Sequence, residues 1–185
     1  MKEFGNKPLM FPQPVLMIGT YDENEKPNLM NAAWGGISND DEISICLSTN
    51  HKTCKNFEVT KAITVSMATK KTVKECDYLG IESGNKVNKI EKIRFHDFKA
   101  PHVNAPLFKE LPLSLECEVI SYNHDTCELK ARIINVLADE SILNSKGKVD
   151  PSLLEPISFD PFNNAYLVVK EKVGDAFKDG KEFMK

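Results

Sequence analysis

The amino-acid sequence predicts a mainly β fold, a closed or nearly closed antiparallel barrel with a few short peripheral helices. At least six segments have the apolar runs or the two-residue alternation typical of β-strands, whereas segments with helical signals are few and short. Strands that bury a face must pack on another layer or close on themselves, so this content favours a barrel. A chain of 185 residues with 41% hydrophobic residues suffices for one buried core, and we expect a single domain over residues 1–185.

The N-terminal half begins with two predicted strands that form a hairpin. The apolar run 15–21 is typical of a buried strand, and the polar residues 22–27 after it indicate a turn. The next apolar segment, 29–34, runs into Gly35 and Gly36, where the missing side chains let another group approach the backbone. Two further strands are predicted from alternating apolar and small residues, over 43–48 and 62–67.

Short helices are predicted on either side of the strand 62–67. Thr53 is the expected N-cap of the first helix, which continues over residues 54–59. The second helix is expected to begin near Thr69. The segment 84–96 is rich in Lys and Asn without a regular pattern, so it predicts a loop with a turn of helix after Asn88.

The clearest alternation of the chain lies in its second half. Residues 115–119 and 129–133 alternate apolar and polar side chains, and the polar residues 123–126 lie between them. This pattern predicts an antiparallel hairpin with one buried face. Further on, Asp150–Pro151 is typical of an N-cap followed by the first turn of a helix, and residues 165–169 predict a last strand.

Composition argues against several classes of function. A net charge of −3 with 28% charged residues provides no basic surface for nucleic acid. No run approaches the roughly 18–20 apolar residues of a membrane span, and residues 1–6 lack the apolar core of a signal peptide. The five cysteines are irregularly spaced, which favours reduced thiols. We therefore expect a cytoplasmic protein that binds neither nucleic acid nor membrane.

Metal and nucleophile sites are not favoured by the spacing of the candidate side chains. His51, His96, His102 and His124 do not fall at metal-ligand intervals, so we expect no metal site. Cys54 follows His51 by three residues, as a thiol and its base can. The alternative, a cysteine that faces the core from a short helix, is favoured.

An anion site is one of two interpretations of the segment where the third strand meets the first helix. The chain has no Walker-type or Rossmann-type glycine motif, but the segment 48–53 offers hydroxyls, an ammonium and the free N–H groups of a helix start. The other interpretation, an ordinary capped turn with a solvated lysine, is favoured by the residues alone. Trp34, the only tryptophan, lies next to glycines and either forms the wall of a flat ligand site or belongs to the core.

Several of these segments together resemble the flavin reductase-like family of FMN-binding split barrels, which includes flavoredoxin and the reductase components of two-component monooxygenases. The resemblance covers most of the chain. Its marks, in chain order, are Pro14–Val15, Gly19–Thr20, Pro27–Asn28, residues 30–34, residues 48–53 leading to Asn56, Ser83–Gly84, residues 87–89, Ala100–Pro101 and residues 115–117.

The resemblance implies an antiparallel, Greek-key-like split barrel that binds flavin mononucleotide (FMN) at its edge, near the interface of a homodimer. Lys52 is then the main charge partner of the phosphate, and Lys89 approaches the flavin or the phosphate from either subunit. The implied cofactor contacts are Asn31, Ala32, Ala33 and Trp34 for the ring, and Ser48, Thr49, His51, Lys52 and Thr53 for the phosphate.

The same resemblance implies an oxidoreductase that passes electrons from NAD(P)H through FMN to a free flavin or an acceptor protein. It names binding residues and no catalytic ones. An FMN-containing electron carrier of the flavoredoxin type, without direct NAD(P)H turnover, uses the same site and stays an alternative. A flavin-storing or sensing module and a haem-binding split barrel are further alternatives.

Overall fold

The computed structural model describes residues 1–184. Within them the strands are β1 (Gln13–Pro14), β2 (Leu16–Tyr21), β3 (Pro27–Ala32), β4 (Gly35–Asn39), β5 (Glu42–Cys46), β6 (Ala62–Met67), β7 (Asp97–Lys99), β8 (Pro106–Phe108), β9 (Leu113–Asn123), β10 (Glu128–Ala138), β11 (Ile157–Asp160) and β12 (Ala165–Val168). The α-helices are α1 (Lys52–Thr60), α2 (Val73–Ile81), α3 (Lys89–Ile93) and α4 (Pro151–Leu154). Short 3₁₀ turns lie at Lys70–Thr72, Glu140–Ile142 and Asp179–Met184.

Seven strands form one curled antiparallel sheet in the order β3-β2-β6-β9-β10-β5-β4. The two edge strands, β3 and β4, are consecutive in the chain and are joined only by Ala33 and Trp34. The Cys46 N–H donates a 2.8 Å hydrogen bond to Trp34 O, which ties this link to β5. Because two residues bridge its opposite edges, the sheet must curl into a barrel that is split at this point. The predicted mainly β, antiparallel split barrel with few short helices is confirmed.

Both faces of β2 are covered, which explains the unbroken apolar run in the sequence. Leu16 and Ile18 point into the barrel, where they meet Val65 and the other interior side chains. Val15 and Met17 point outward into a second core, formed with α2, α3 and β8. Because successive side chains of a strand point to opposite faces, this segment contributes to two cores, one inside the barrel and one beneath the helices.

Helix α1 packs on the interior of the barrel through Cys54 and Phe57, which lie one turn apart and are both buried. The Phe57 ring meets the edge of the Tyr122 ring, with centroids 5.1 Å apart. The helix ends at Lys61, which has a left-handed conformation (φ 54°) and donates its N–H to Phe57 O.

The predicted N-cap of α1 is wrong. The N-cap is His51, in extended conformation and without a side-chain cap, and Thr53 lies inside the first turn. Thr53 is buried, and its Oγ1 accepts a 2.9 Å hydrogen bond from Asn28 Nδ2. The Thr53 hydroxyl, which the local pattern assigned to capping, therefore binds a residue of β3 that is distant in sequence.

Other elements were predicted with mixed success. The helix near Thr69, the turn of helix after Asn88 and the Asp150 cap are confirmed; Asp150 accepts the Ser152 N–H at 2.8 Å. The segment 29–34 was predicted as one unit, but β3 ends at Ala32 and β4 begins at Gly35. The strands absent from the prediction are β1, β4, β7, β8 and β11. None of the helices within residues 1–184 is long and apolar enough to cross a membrane.

Candidate functional site

A cavity of about 450 Å³ lies between β3, the start of α1, the end of α2 and the loop that leads to α3. This is the size range of sites for small molecules and cofactors. Its lining residues are Asn28, Met30, Asn31, Asn50, His51, Lys52, Thr53, Leu79, Gly80, Ile81, Glu82, Ser83, Gly84 and Lys89.

The N-terminus of α1 provides one end of the cavity. The first intrahelical bonds are donated by the N–H groups of Cys54 and Lys55 to His51 O, at 3.1 and 3.5 Å. The N–H groups of Lys52 and Thr53 precede these bonds, so they belong to the donors that a helix leaves free at its start. Together with the helix dipole they favour an anion at this end.

Lys89, the first residue of α3, adds a buried amine to the same cavity. Its side chain is only 5% exposed, and Nζ donates a 2.8 Å hydrogen bond to Leu79 O. Burial lowers the pKa of this lysine to about 8, and the nearby Glu82 opposes that effect. An ammonium has three donors, so Leu79 leaves two for a ligand.

Lys52 is held by Asp22 rather than directed freely into the cavity. Its Nζ lies 3.0 Å from Asp22 Oδ2, and the two side chains are 28% and 15% exposed. Burial disfavours ionisation of Asp22, but hydrogen bonds from the Lys26 N–H, Lys52 and the Asn24 N–H outweigh it and lower the pKa of the carboxyl. Lys52 therefore already has a charge partner within the chain.

His51 is a neutral polar group at neutral pH. Burial and, to a smaller extent, the positive charge of Lys89 lower its pKa below the ordinary value of 6.5. The positive charge of the cavity therefore comes from the lysines, and His51 contributes a donor or acceptor.

The loop over residues 83–85 forms a wall that fits tightly against β3. A Cβ on Gly84 would overlap Asn28 Oδ1, so a larger residue here would require the Asn28 amide or the loop to shift. Asn85 Nδ2 donates a 3.0 Å hydrogen bond to Asn50 O, which ties the loop to the turn before α1. The wall is thus fixed at two points.

Asn31 lies at the floor of the cavity, on β3. Its Nδ2 donates a 3.1 Å hydrogen bond to Cys76 O of α2, and a Cβ on Gly80 would lie 3.2 Å from its own Cβ. Asn31 therefore sets the distance between α2 and the sheet as well as lining the cavity.

The structure brings together half of the residues predicted for the site. The predicted residues that line the cavity are Asn31, His51, Lys52, Thr53 and Lys89. The predicted residues outside the lining are Ala32, Ala33, Trp34, Ser48 and Thr49.

The residues outside the lining differ in their surroundings. The Ala32 side chain is buried in the barrel interior, so only its backbone is available to a ligand. Trp34 is 57% exposed, which excludes the alternative that it is a core residue. Ser48 O accepts hydrogen bonds from the His51 N–H and from Cys54 Sγ, both at 3.2 Å.

Cys54 is not an activated nucleophile. It is buried among the interior side chains, and burial raises the pKa of its thiol to about 11. The core-facing alternative for this cysteine is confirmed.

Prediction missed nine of the fourteen residues that line the cavity. Asn28 was used only as a family mark and was not assigned to the site, although it is a polar residue directly before the apolar Leu29 and Met30, and its amide binds Thr53. Leu79, Gly80 and Ile81 carry no such signal, because their apolar side chains are typical of any helix end.

The fold and this cavity define a split-barrel protein with a cavity suited to an anionic small molecule. Comparison with known proteins agrees with this class. The model of the flavin reductase like domain matches residues 9–149, and the chain belongs to that family. Among curated protein sequences there is no significant match.

Two solved flavoredoxins are similar along essentially their whole length. The flavoredoxin of Desulfovibrio vulgaris (Miyazaki F) is 32% identical, with a TM-score of 0.94 over 98% of this chain and 100% of that one. The flavoredoxin from Methanosarcina acetivorans is 26% identical, with a TM-score of 0.89 over 100% and 99%. An FMN-binding domain of a flavin reductases-like enzyme from Shewanella baltica OS155 shares the fold, with 16% identity and a TM-score of 0.78 over 88% and 89%.

Proposed function

We propose that this chain binds FMN in the cavity at the start of α1 and acts as an oxidoreductase of the flavin reductase/flavoredoxin type. The observation that carries the proposal is the pairing of two kinds of surface in one cavity. The α1 N-terminus and the buried amine of Lys89 suit a phosphate, while the exposed Ile81 side chain offers apolar surface to a flat ring. Membership of the flavin reductase-like family supports this assignment.

The residues present fit such a cofactor. The N–H groups of Lys52 and Thr53 and the Lys89 ammonium would hold the phosphate. The ring would lie toward Asn31 and the Ala33–Trp34 link, where the exposed indole offers a flat apolar face. Ser48 and Thr49 stay predicted phosphate contacts in the turn before α1.

FMN held there would supply the redox chemistry, namely acceptance of a hydride from a reduced nicotinamide and release of electrons singly or in pairs to an acceptor. The chain's own groups bind the phosphate, orient the ring and limit its contact with water. We assign no general acid or base to the chain, because electron transfer through the cofactor needs none from the protein. NAD(P)H is the proposed donor, and a free flavin or a partner protein the proposed acceptor.

An electron carrier without direct NAD(P)H turnover is the second candidate. It is favoured by one specific observation, the similarity to two flavoredoxins over nearly the whole chain at 32% and 26% identity. Both candidates require the same FMN site, so they differ only in how the cofactor is reduced.

We also propose a homodimer, based on the side of the barrel that the helices do not cover. Helices α2 and α3 cover the outer face of β2 and β3. The strands β4, β9 and β10 instead expose large apolar side chains, namely Ile37, Ile120, Ile134 and Val136. A two-fold interface that includes these strands would cover such side chains on both copies at once. Light scattering at micromolar concentration tests this proposal, and a monomeric mass would contradict it.

The cytoplasm is the proposed compartment. All five cysteines of the chain are free thiols, and Cys54, Cys76 and Cys117 are buried in different elements. Thiols in this state persist in a reducing compartment.

The proposal is tested by the visible absorption spectrum of the purified protein with added FMN, followed anaerobically by NADH and then NADPH. Bleaching of the bound flavin within seconds is expected for the reductase. A flavin that binds but stays oxidised would favour the carrier. No binding of FMN would contradict both.

A further inference from the structure

Lys52 lies in the wall between two hollows of the surface. On one side is the 450 Å³ cavity, and on the other a groove of about 380 Å³ that Asp22, Glu23 and Lys55 also line. The ammonium is directed toward the groove, where Nζ meets Asp22 Oδ2 at 3.0 Å. The cation predicted to bind the phosphate is therefore engaged on the far side of the wall.

Asp22 is fixed in place by the turn that follows β2. Its Oδ1 accepts hydrogen bonds from the N–H groups of Asn24 and Lys26, at 2.9 and 3.0 Å. Its own N–H donates to Lys26 O at 3.0 Å, which closes the turn. Because the turn uses Oδ1 and leaves Oδ2 for Lys52, the carboxylate cannot follow the lysine into the cavity.

This arrangement sets the charge at the phosphate end of the cavity. Lys52 and Asp22 cancel each other, His51 is neutral, and Glu82 lies beside Lys89 in the same lining. A phosphate monoester that approaches the α1 N-terminus must draw Lys52 away from Asp22 or accept only its remaining donors. In both arrangements the fixed Asp22 carboxylate lies behind Lys52 and repels the phosphate.

We propose that Asp22 is a positioning residue that holds Lys52 back and lowers the affinity of the cavity for the phosphate end of a flavin mononucleotide. The inference rests on the proposed function, since it concerns the same site. It assigns to Asp22 the role of keeping the cofactor exchangeable rather than permanently held. If Asp22 had only a structural role in the turn, its replacement would change the affinities for FMN and riboflavin equally, because these two flavins differ only in the phosphate.

The variant Asp22→Asn separates these two roles. An asparagine Oδ1 still accepts the N–H groups of Asn24 and Lys26, so the turn is kept, but the charge that holds Lys52 is removed. Glu23→Gln is the matched control, because it removes one negative charge from the same turn and the same groove without touching the ion pair.

The experiment measures the dissociation constants of FMN and riboflavin by calorimetry at low ionic strength for the wild type and both variants. Asp22→Asn is expected to tighten FMN binding by about three- to tenfold and to leave riboflavin binding unchanged, since freed surface ion-pair partners have effects of this size. Glu23→Gln is expected to change FMN binding less than twofold. The gain in Asp22→Asn should shrink as KCl is added.

Three results would overturn the inference: unchanged or weaker FMN binding in Asp22→Asn, an equal shift for riboflavin, or the same gain in Glu23→Gln. Binding of neither flavin by the wild type would be a different failure, that of the proposed function itself. If Asp22→Asn melts below the working temperature, Asp22→Ser replaces it, because a serine hydroxyl also accepts N–H bonds in such turns.

Discussion

The Lys89 ammonium donates a 2.8 Å hydrogen bond to Leu79 O, from a side chain that is almost fully buried in the cavity wall. A buried lysine is costly unless it is paired, and here a single neutral carbonyl pairs it. The bond joins the start of α3 to the last turn of α2. The same contact therefore shapes the cavity and leaves a cation with spare donors for an anionic ligand.

Replacing Lys89 by methionine is expected to weaken FMN binding by about 10- to 100-fold, since a charge-assisted hydrogen bond contributes roughly 1.5–3 kcal/mol. Riboflavin binding should change much less. Calorimetric titration with both flavins measures the difference. Lys86→Met is the control, because Lys86 is exposed in the same loop. Equal losses for FMN and riboflavin would contradict a phosphate contact.

The affinity for FMN is expected to depend on pH through Lys89. Burial lowers the pKa of this lysine to about 8 in the free protein, and a bound phosphate would favour its charged form and raise the pKa again. Affinity should therefore be constant below the free-protein pKa and fall above it, by up to about tenfold per pH unit. Titrations between about pH 7 and 9.5 test this, and Lys89→Met should remove the dependence. His51 does not explain such a fall, because its pKa is lowered from 6.5.

Gly84→Ala is expected to disturb the site while sparing the core. The new Cβ would overlap Asn28 Oδ1, so either the loop over residues 83–85 moves away from β3 or the Asn28 amide leaves its hydrogen bond to Thr53. We expect FMN binding to weaken by about tenfold, as a small displacement of binding groups can cause, with little change in the melting temperature. Gly180→Ala is the control, since nothing lies within 4 Å of its added Cβ. A wild-type affinity in Gly84→Ala would show that the wall can shift without affecting the site.

Phe57→Ala is expected to destabilise the fold by about 3–5 kcal/mol, the usual cost of removing a fully buried phenylalanine. Phe57 joins α1 to the barrel interior and contacts the Tyr122 ring. Urea denaturation measures the change in the free energy of unfolding. Val59→Ala on the exposed side of the same helix should stay within about 0.5 kcal/mol of the wild type. Similar losses for both variants would show that α1 does not depend on this contact.

Local patterns identified the strands that carry the barrel. The run 15–21 corresponds to β2, and the alternation in 115–119 and 129–133 corresponds to β9 and β10. A strand that is buried on both faces is apolar throughout, and a strand that is buried on one face alternates apolar and polar residues. The hairpin is longer than predicted, with eleven residues in each strand. Its outer part is exposed, and apolar periodicity fades where little is buried.

The rest depends on contacts between distant parts of the chain. Strand β4 forms only because β5 lies beside it, and its Gly35 and Gly36 have no strand preference of their own. The Thr53 hydroxyl binds Asn28, and the Lys52 ammonium binds Asp22, over 25 and 30 residues of sequence. No local rule detects such pairs, which is why the start of α1 was predicted with the wrong cap and a freer lysine.

The link between the two edges of the sheet also contains the only tryptophan of the chain. Its indole emission therefore reports from one known place, the junction where the barrel is split. An unfolding experiment followed by this emission reports the loss of structure at the link between β3 and β4, without any engineered label. Energy transfer from the same indole to a flavin nearby would measure occupancy of the neighbouring cavity in the unmodified protein.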